Sequence, residues 1–386
     1  MKNSRRRLVT LAILALMVLL AVGIVAFSRS KPALNLKNDN SLFSLLSSQS
    51  EKSQEELVAR LEKLTRKLTS DQDARLLLLE KQNAELLRQI RLLRTPPPSA
   101  TIREKLAHLY PYDPSVRFPA YIWQTWKHGL NDERFDEKYR EGETQWAMKN
   151  PGFVHELFND DTSYAVVRHH FQAIPEVIEA YEALPEVILR MDFFRYLILF
   201  AKGGVYADID TYPLQPIPNW IPENVGADEI GIIVAIGLDS NLPRWREEAA
   251  RRLEFSQAII QCKPGHPVLR EIISNIVQHT QDRKRKDTLK LEGSSNQKGL
   301  AISQWTGTGR WTDTMLGYFN DYIQSSIYHE ITWKEFHNLE VPKLVSDILV
   351  LPIKSFALPL EIPKDGKVDD PLAFAKHYQG KIWKTT

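Results

Sequence analysis

Cysteine is nearly missing from this chain: Cys262 is the single one among 386 residues, so no intrachain disulfide can staple the fold. An oxidising compartment permits disulfides without demanding them, so this scarcity does not assign a compartment. An excess of one charge is missing too. The 50 lysines and arginines stand against 48 aspartates and glutamates, leaving a net charge of +2. That excludes the strongly basic surface that nucleic-acid binding as a main task requires. No Asn-x-Ser/Thr acceptor occurs anywhere, so the chain offers no place for an N-linked glycan. No internal repeat is evident either, which sets aside repeat architectures.

What is present starts with a long apolar run. Lys2, Arg5, Arg6 and Arg7 precede residues 8–27, which carry no charge. At about 1.5 Å per residue this run matches a hydrocarbon core of about 30 Å. It exceeds the apolar region of a cleaved leader, and Phe27 is bulky just before charge resumes, so it reads as a signal anchor. The basic residues before it favour an inside N-terminus, although Arg29, Lys31 and Lys37 reduce the asymmetry. The expectation is a cytosolic tail at 1–7, a transmembrane anchor at 8–27 and a lumenal remainder: a single-pass type II membrane protein.

Residues 28–55 are polar and Ser/Asn-rich, which suits a flexible tether. Leu57, Leu61, Leu64 and Leu68 then recur at 4-3-4 spacing, and Leu76, Leu79, Asn83, Leu86, Ile90 and Leu93 resume it after a skip. This is a heptad seam, in which Asn83 can fix register or oligomer state. A coiled-coil stem at 56–95 forming a homo- or hetero-oligomer follows; with the pattern interrupted near Thr69 to Asp73, a solvated single helix is the other reading. Pro96, Pro97 and Pro98 cannot continue a helix and mark the boundary. Residues 100–386 suffice for one large α/β domain. Its strands are expected at 121–126, 205–207, 231–236 and 348–352, and the charged stretch 281–299 reads as an exposed loop.

The chemistry concentrates between Met191 and Ile217. Phe193 to Ala201 is apolar nearly all round and reads as a buried helix, with Asp192 and Arg195 spaced i, i+3 on one face at its start. Gly203 and Gly204 end it and allow positive φ. A short strand, Val205 to Ala207, runs out into Asp208 and Asp210. On an extended segment these two carboxylates point to one side, where a hard divalent cation and the diphosphate of a nucleotide sugar would suit them. A solvated turn before Pro213 is the plainer reading of an isolated D-x-D triplet.

Here the sequence resembles a known family. The run D-F-F-R-Y-L-x-L-x-x-x-G-G-V-Y-x-D-x-D-T, from Asp192 to Thr211, is similar to the DXD-containing sugar-transferase family of fungal Golgi α-1,6-mannosyltransferases, glycosyltransferase family 32. Ile122 to Lys127 (IWQTWK) resembles that family's first strand, Lys263 to Leu269 its KPGHPxL segment, and His377 to Lys384 its closing H-x-x-G-x-W-K element. The four motifs span residues 117 to 384 in family order.

The resemblance implies a GT-A fold, a Rossmann-like α/β domain that binds a nucleoside-diphosphate sugar at the carboxyl edge of its sheet. It implies Mn²⁺ or Mg²⁺ held by Asp208 and Asp210 with His377 as third ligand. Asp192 and Arg195 would contact the donor's sugar and phosphates; Trp123, Gln124 and Thr125 would line the base and ribose pocket; Tyr206 and Gly307 join the donor-binding set. Asp313 would stand near the reaction centre beside Asp208 and Asp210. The residues themselves also allow Asp192 and Arg195 as an intrahelix ion pair of purely structural use, Trp123 as strand core, His377 as a surface histidine and Asp313 as a helix cap. One segment departs from the family: Thr308 replaces a proline in Thr306 to Asp313, which should loosen a turn.

As a family member the chain would transfer mannose from GDP-mannose, with retention, to N-linked glycans of glycoproteins in the Golgi. A relative using UDP-galactose, or mannosylating inositolphosphoceramide, is the alternative within the family; a membrane-tethered coiled-coil adaptor is the alternative outside catalysis. The haloacid-dehalogenase pattern D-x-D-x-T/V does not fit, because Thr211 comes one residue early and Tyr212 occupies the diagnostic position.

Overall fold

The structure, a computed structural model, describes residues 40–93, 99–247, 249–321, 330–356 and 370–378. The anchor expected at 8–27, the first part of the tether and Pro96 to Pro98 lie outside them. Among the described residues no helix is long and apolar enough to cross a membrane.

The first element is a helix of 54 residues, Asn40–Leu93. It begins inside the segment expected to be a flexible tether, and it runs unbroken through Thr69 to Asp73, where the leucine spacing skips. The reason lies in what the stretch omits. It holds neither glycine nor proline, so its serines weaken the helix without stopping it. The Glu56–Arg60 pair, 3.0 Å apart at i, i+4, adds a little. Leu64, Leu68, Leu76, Leu79 and Leu86 each leave 50% or more of their surface exposed.

By its contacts the chain divides into two units, 1–85 and 86–386. The second is a mixed α/β domain. Its strands are β1 Tyr121–Thr125, β2 Val154–Phe158, β3 Gly204–Ala207, β4 Thr211–Pro213, β5 Ile232–Asp239, β6 Leu253–Phe255, β7 Ile259–Cys262, β8 Lys343–Val345, β9 Ile348–Leu351 and β10 Ala375–His377. The main sheet runs β2-β1-β3-β7-β5-β9-β8, with β6 on β5, while β4 and β10 form a separate pair. β1 lies parallel to both β2 and β3, and β5 parallel to β9, whereas β7 is inserted antiparallel between β3 and β5. The four expected strands are therefore present.

Alternation along these strands divides the core in two. Trp123, Tyr206, Val234, Ile260 and Val350 face the side covered by helices Val187–Lys202 and Pro267–Arg285. Ile122, Val205, Ala207, Ala235 and Leu351 face the other side, packed with Trp146, Trp220 and Phe356. Helix Val187–Lys202 is buried almost throughout, as its sequence predicts. The N–H of Gly203 donates to the Leu199 carbonyl (2.8 Å) at φ +66°, and Gly204 follows at φ +94°. A Cβ on Gly204 would stand 2.8 Å from Tyr121, so both the turn and the close strand contact need glycine there.

The charged stretch 281–299 is not the single loop expected of it. Helix Pro267–Arg285 continues into it, and helix Ser295–Trp305 starts within it. Asp282, Arg283, Lys284 and Arg285 lie in the last turns of the first helix, Lys286 to Ser294 connect the two, and a Ser294–Gln297 capping box begins the next one.

Candidate active site

Parallel pairing of β1 with β3, in register Trp123↔Tyr206, brings Thr125 alongside the chain that leaves β3 at Asp208. The Thr125 and Tyr206 hydroxyls meet at 2.9 Å. A cavity of about 650 Å³ opens over this carboxyl edge, lined among others by Thr125, Trp126, Asp192, Arg195, Asp208 and Asp210. Ligand sites at such sheet edges are a general property of α/β folds.

Asp208 and Asp210 converge, but not by strand alternation. β3 ends at Ala207, and residues 208–211 form a turn closed by the Thr211 N–H donating to the Asp208 carbonyl at 3.1 Å. Thr211 then opens β4, which pairs antiparallel with β10 in register Thr211↔His377. That short ladder brings His377 to the turn. Its Nε2 stands 3.3 Å from Asp210 Oδ1, and one ligand atom each from Asp208, Asp210 and His377 lie within 4.8 Å of one another. Ligands about 2.1 Å from an octahedral ion at right angles are about 3 Å apart, and two carboxylates with an imidazole suit Mn²⁺ or Mg²⁺. The residues fit such an ion.

Beneath the carboxylates lies a buried ionic floor. Arg195 Nη2 donates to Asp192 Oδ1 at 2.7 Å, and Nη1 donates to Asp208 Oδ1 at 3.1 Å and to the Gln257 carbonyl at 2.9 Å. The guanidinium sits 4.8 Å from the centre of the Tyr206 ring. Asp192 also accepts from Gln257 Nε2 (3.0 Å) and Thr306 Oγ1 (3.1 Å). Burial pushes the Asp192 carboxyl up to about 6 despite Arg195. Burial likewise raises Asp208, opposed by Arg195 and reinforced by Asp210. Burial alone would depress the His377 imidazole, but the hydrogen bond and charge of Asp210 hold it above its ordinary value.

The other expected site residues divide. Tyr206 lines the cavity. Trp123 does not: its indole N–H donates to the Gly203 carbonyl at 2.7 Å and its ring stacks on Tyr121, so it is strand core. Gln124 is fully buried between Asp208 and His155 and supports the turn from behind. Gly307 is a packing position, where a Cβ would stand 2.9 Å from the Ser303 backbone and 3.5 Å from Asp192. Asp313 is not brought to the carboxylate pair. It sits within helix Thr308–Asp321 and pairs with Arg251, so it is neither cavity lining nor a cap. Thr308, in place of the family's proline, opens that helix, and its hydroxyl donates to Glu254 at 2.6 Å. The turn is tied instead of loosened.

Sequence reasoning missed Trp126, Lys127, Glu254 and Gln257, all of which line the cavity. The first two had a signal. Residues just past the end of a strand emerge over the sheet edge, where those inside it are core.

Comparison with known proteins agrees with this site. The family described as a glycosyltransferase sugar-binding region containing a DXD motif matches residues 136–227, which include Asp192, Arg195, Asp208 and Asp210. The chain is 45% identical over 396 residues to the protein HOC1 of Saccharomyces cerevisiae, covering 100% of this chain and 96% of that one. It is 39% identical to the initiation-specific alpha-1,6-mannosyltransferase of Candida albicans, over 75% of this chain and 78% of that one. The Saccharomyces cerevisiae protein of that same name is 28% identical, over 78% and 86%.

Proposed function

The chain belongs to the glycosyltransferase family whose sugar-binding region carries a DXD motif, and from that premise we propose that it is a metal-dependent α-mannosyltransferase using GDP-mannose. The observation that carries the reading is the Asp208–Asp210–His377 cluster at the mouth of a cavity floored by Arg195 and Asp192. Asp208, Asp210 and His377 would hold Mn²⁺ or Mg²⁺, which when bound neutralises charge on the departing diphosphate. The GT-A reading of the domain rests on the same placement of the site at the carboxyl edge of a mixed sheet.

The chain's own residues do the rest. Arg195, spent on Asp192 and Asp208, holds the Asp208 carboxylate in place. Asp192, at the cavity floor, already accepts from Arg195, Gln257 and Thr306, and would meet hydroxyls of the donor sugar with the accepting capacity left on its Oδ2. Lys127 at the rim adds positive charge where the diphosphate would leave, and Trp126 offers an indole face to the base. Positioning of the acceptor hydroxyl and metal-assisted departure of the diphosphate would supply much of the rate. Retention of the α-configuration follows from a same-face attack.

The acceptor is an N-linked glycan of a glycoprotein, and the linkage is α-1,6, the linkage in the names of two relatives. Residues 8–27 anchor the protein in the Golgi membrane, with the domain lumenal and the long helix as a stem. The test is donor hydrolysis against GDP-mannose, UDP-galactose and UDP-glucose, with and without Mn²⁺. Turnover of GDP-mannose that needs Mn²⁺ supports the reading; preference for a UDP-sugar ends it.

A further inference from the structure

The turn that carries the two carboxylates is clamped from behind by groups that do not line the cavity. The carbonyl of Asp208 accepts three donors: the Thr211 hydroxyl at 2.5 Å, the Thr211 N–H at 3.1 Å and Gln124 Nε2 at 3.3 Å. Thr211 Oγ1 in turn accepts the indole N–H of Trp146 at 3.2 Å. Gln124 Oε1 is tied to His155 Nε2 at 2.9 Å. Trp146, Gln124 and Thr211 are all buried. On the helix Arg140–Lys149 that supplies Trp146, a Cβ on Gly142 would stand 2.8 Å from the Thr211 carbonyl, so helix and turn are in direct contact.

We propose that Thr211, backed by Trp146 and Gln124, is a positioning residue that sets the separation of the Asp208 and Asp210 carboxylates for cation binding. This rests on the metal reading given above. A hydroxyl has one proton to give and lone pairs with which to accept, so Thr211 alone can donate to the Asp208 carbonyl while receiving Trp146. The backbone between the two ligands is thereby fixed at one end by side chains from β1 and from a helix. Thr211 donates to the Asp208 main-chain carbonyl through both its hydroxyl and its N–H, so it acts on the ion through the turn. Groups behind metal ligands commonly govern affinity by such orientation.

The test compares Thr211→Val with Thr211→Ser in the purified full-length chain, reading Mn²⁺ binding by the electron paramagnetic resonance of the free ion. Valine keeps the shape and loses the hydroxyl; serine keeps the hydroxyl. Thr211→Val should raise the Mn²⁺ dissociation constant about tenfold or more, and Thr211→Ser should stay near the parent. Val268→Ala, fully buried on the helix Pro267–Arg285 and outside the cavity lining, should lower the melting temperature with Mn²⁺ affinity unchanged. Parent-like affinity in Thr211→Val, or an equal loss in Val268→Ala, overturns the proposal. Should Thr211→Val not fold, Trp146→Phe asks the same question: several-fold weaker Mn²⁺ binding supports the proposal and parent-like binding overturns it. If Asp210→Ala loses the ion while Thr211→Val keeps it, positioning fails and the metal reading stands. A parent that takes up no Mn²⁺ sinks both.

Discussion

His377 Nε2 lies 3.3 Å from Asp210 Oδ1 although the two residues are far apart in the chain, because the β4–β10 ladder pairs His377 with Thr211, next to Asp210. Neither side chain belongs to a hydrophobic core cluster. The contact therefore has a use in binding more readily than in stability.

Asp210→Ala should abolish transfer yet move the melting temperature by no more than about 2 °C, since it also relieves repulsion from Asp208. Assay and thermal denaturation together check this. A collapse of stability would make the carboxylate architectural.

Arg195→Leu should behave in the opposite way. It strands Asp192, which is 1% exposed, without its cation. Breaking one partner of a buried pair costs about 3–5 kcal/mol, so the melting temperature should fall on the order of 10 °C along with activity. A variant as stable as the parent would show that the pair adds nothing to the fold.

Acid should destabilise the domain between about pH 6.5 and 4. Burial depresses the imidazoles of His155, His170 and His279 to about 4 in the folded state, against about 6.5 when unfolded. In that window the unfolded chain binds more protons, so stability rises with pH and is lost on acidification. Asp192, raised to about 6, and Asp208, also raised by burial, act in the reverse sense, but the three histidines, joined by the depressed His266 and Asp347, outweigh them. Urea midpoints at pH 7.5 and 5 provide the measurement; a higher midpoint at pH 5 would contradict it.

Removing residues 1–98 should lower the association state without ending turnover. The Asn40–Leu93 helix exposes Leu64, Leu68, Leu76, Leu79 and Leu86, five of the ten seam positions a partner helix would cover. Sedimentation showing the same oligomer with and without this segment would count against the stem.

Local pattern made part of this legible. The buried helix, its Gly203–Gly204 end and the strand leading to Asp208 are written in consecutive residues, and so is the Asp192–Arg195 pair. Long-range pairing was not. Nothing around His377 says that Ala375–His377 will pair with β4; the family resemblance pointed to His377 as a ligand, and residues 379–384 of its closing motif lie outside the described residues. Trp123 and Trp126 look alike in IWQTWK; where the strand ends decides which one is core and which meets the cavity. The helix from Asn40 was hidden because serine and asparagine suggest a loop, although no glycine or proline breaks it. Asp313 was misplaced for a related reason: its partner Arg251 is distant in sequence, and only the fold brings them together.

The central claim is that a divalent cation is shared by Asp208, Asp210 and His377 with the diphosphate of the donor. Anomalous diffraction from crystals grown with Mn²⁺ and GDP tests it most directly. The account predicts one strong manganese peak within about 2.3 Å of Asp210 and His377 and in contact with the β-phosphate. A peak elsewhere, or GDP bound in the cavity with no metal at these residues, would contradict it.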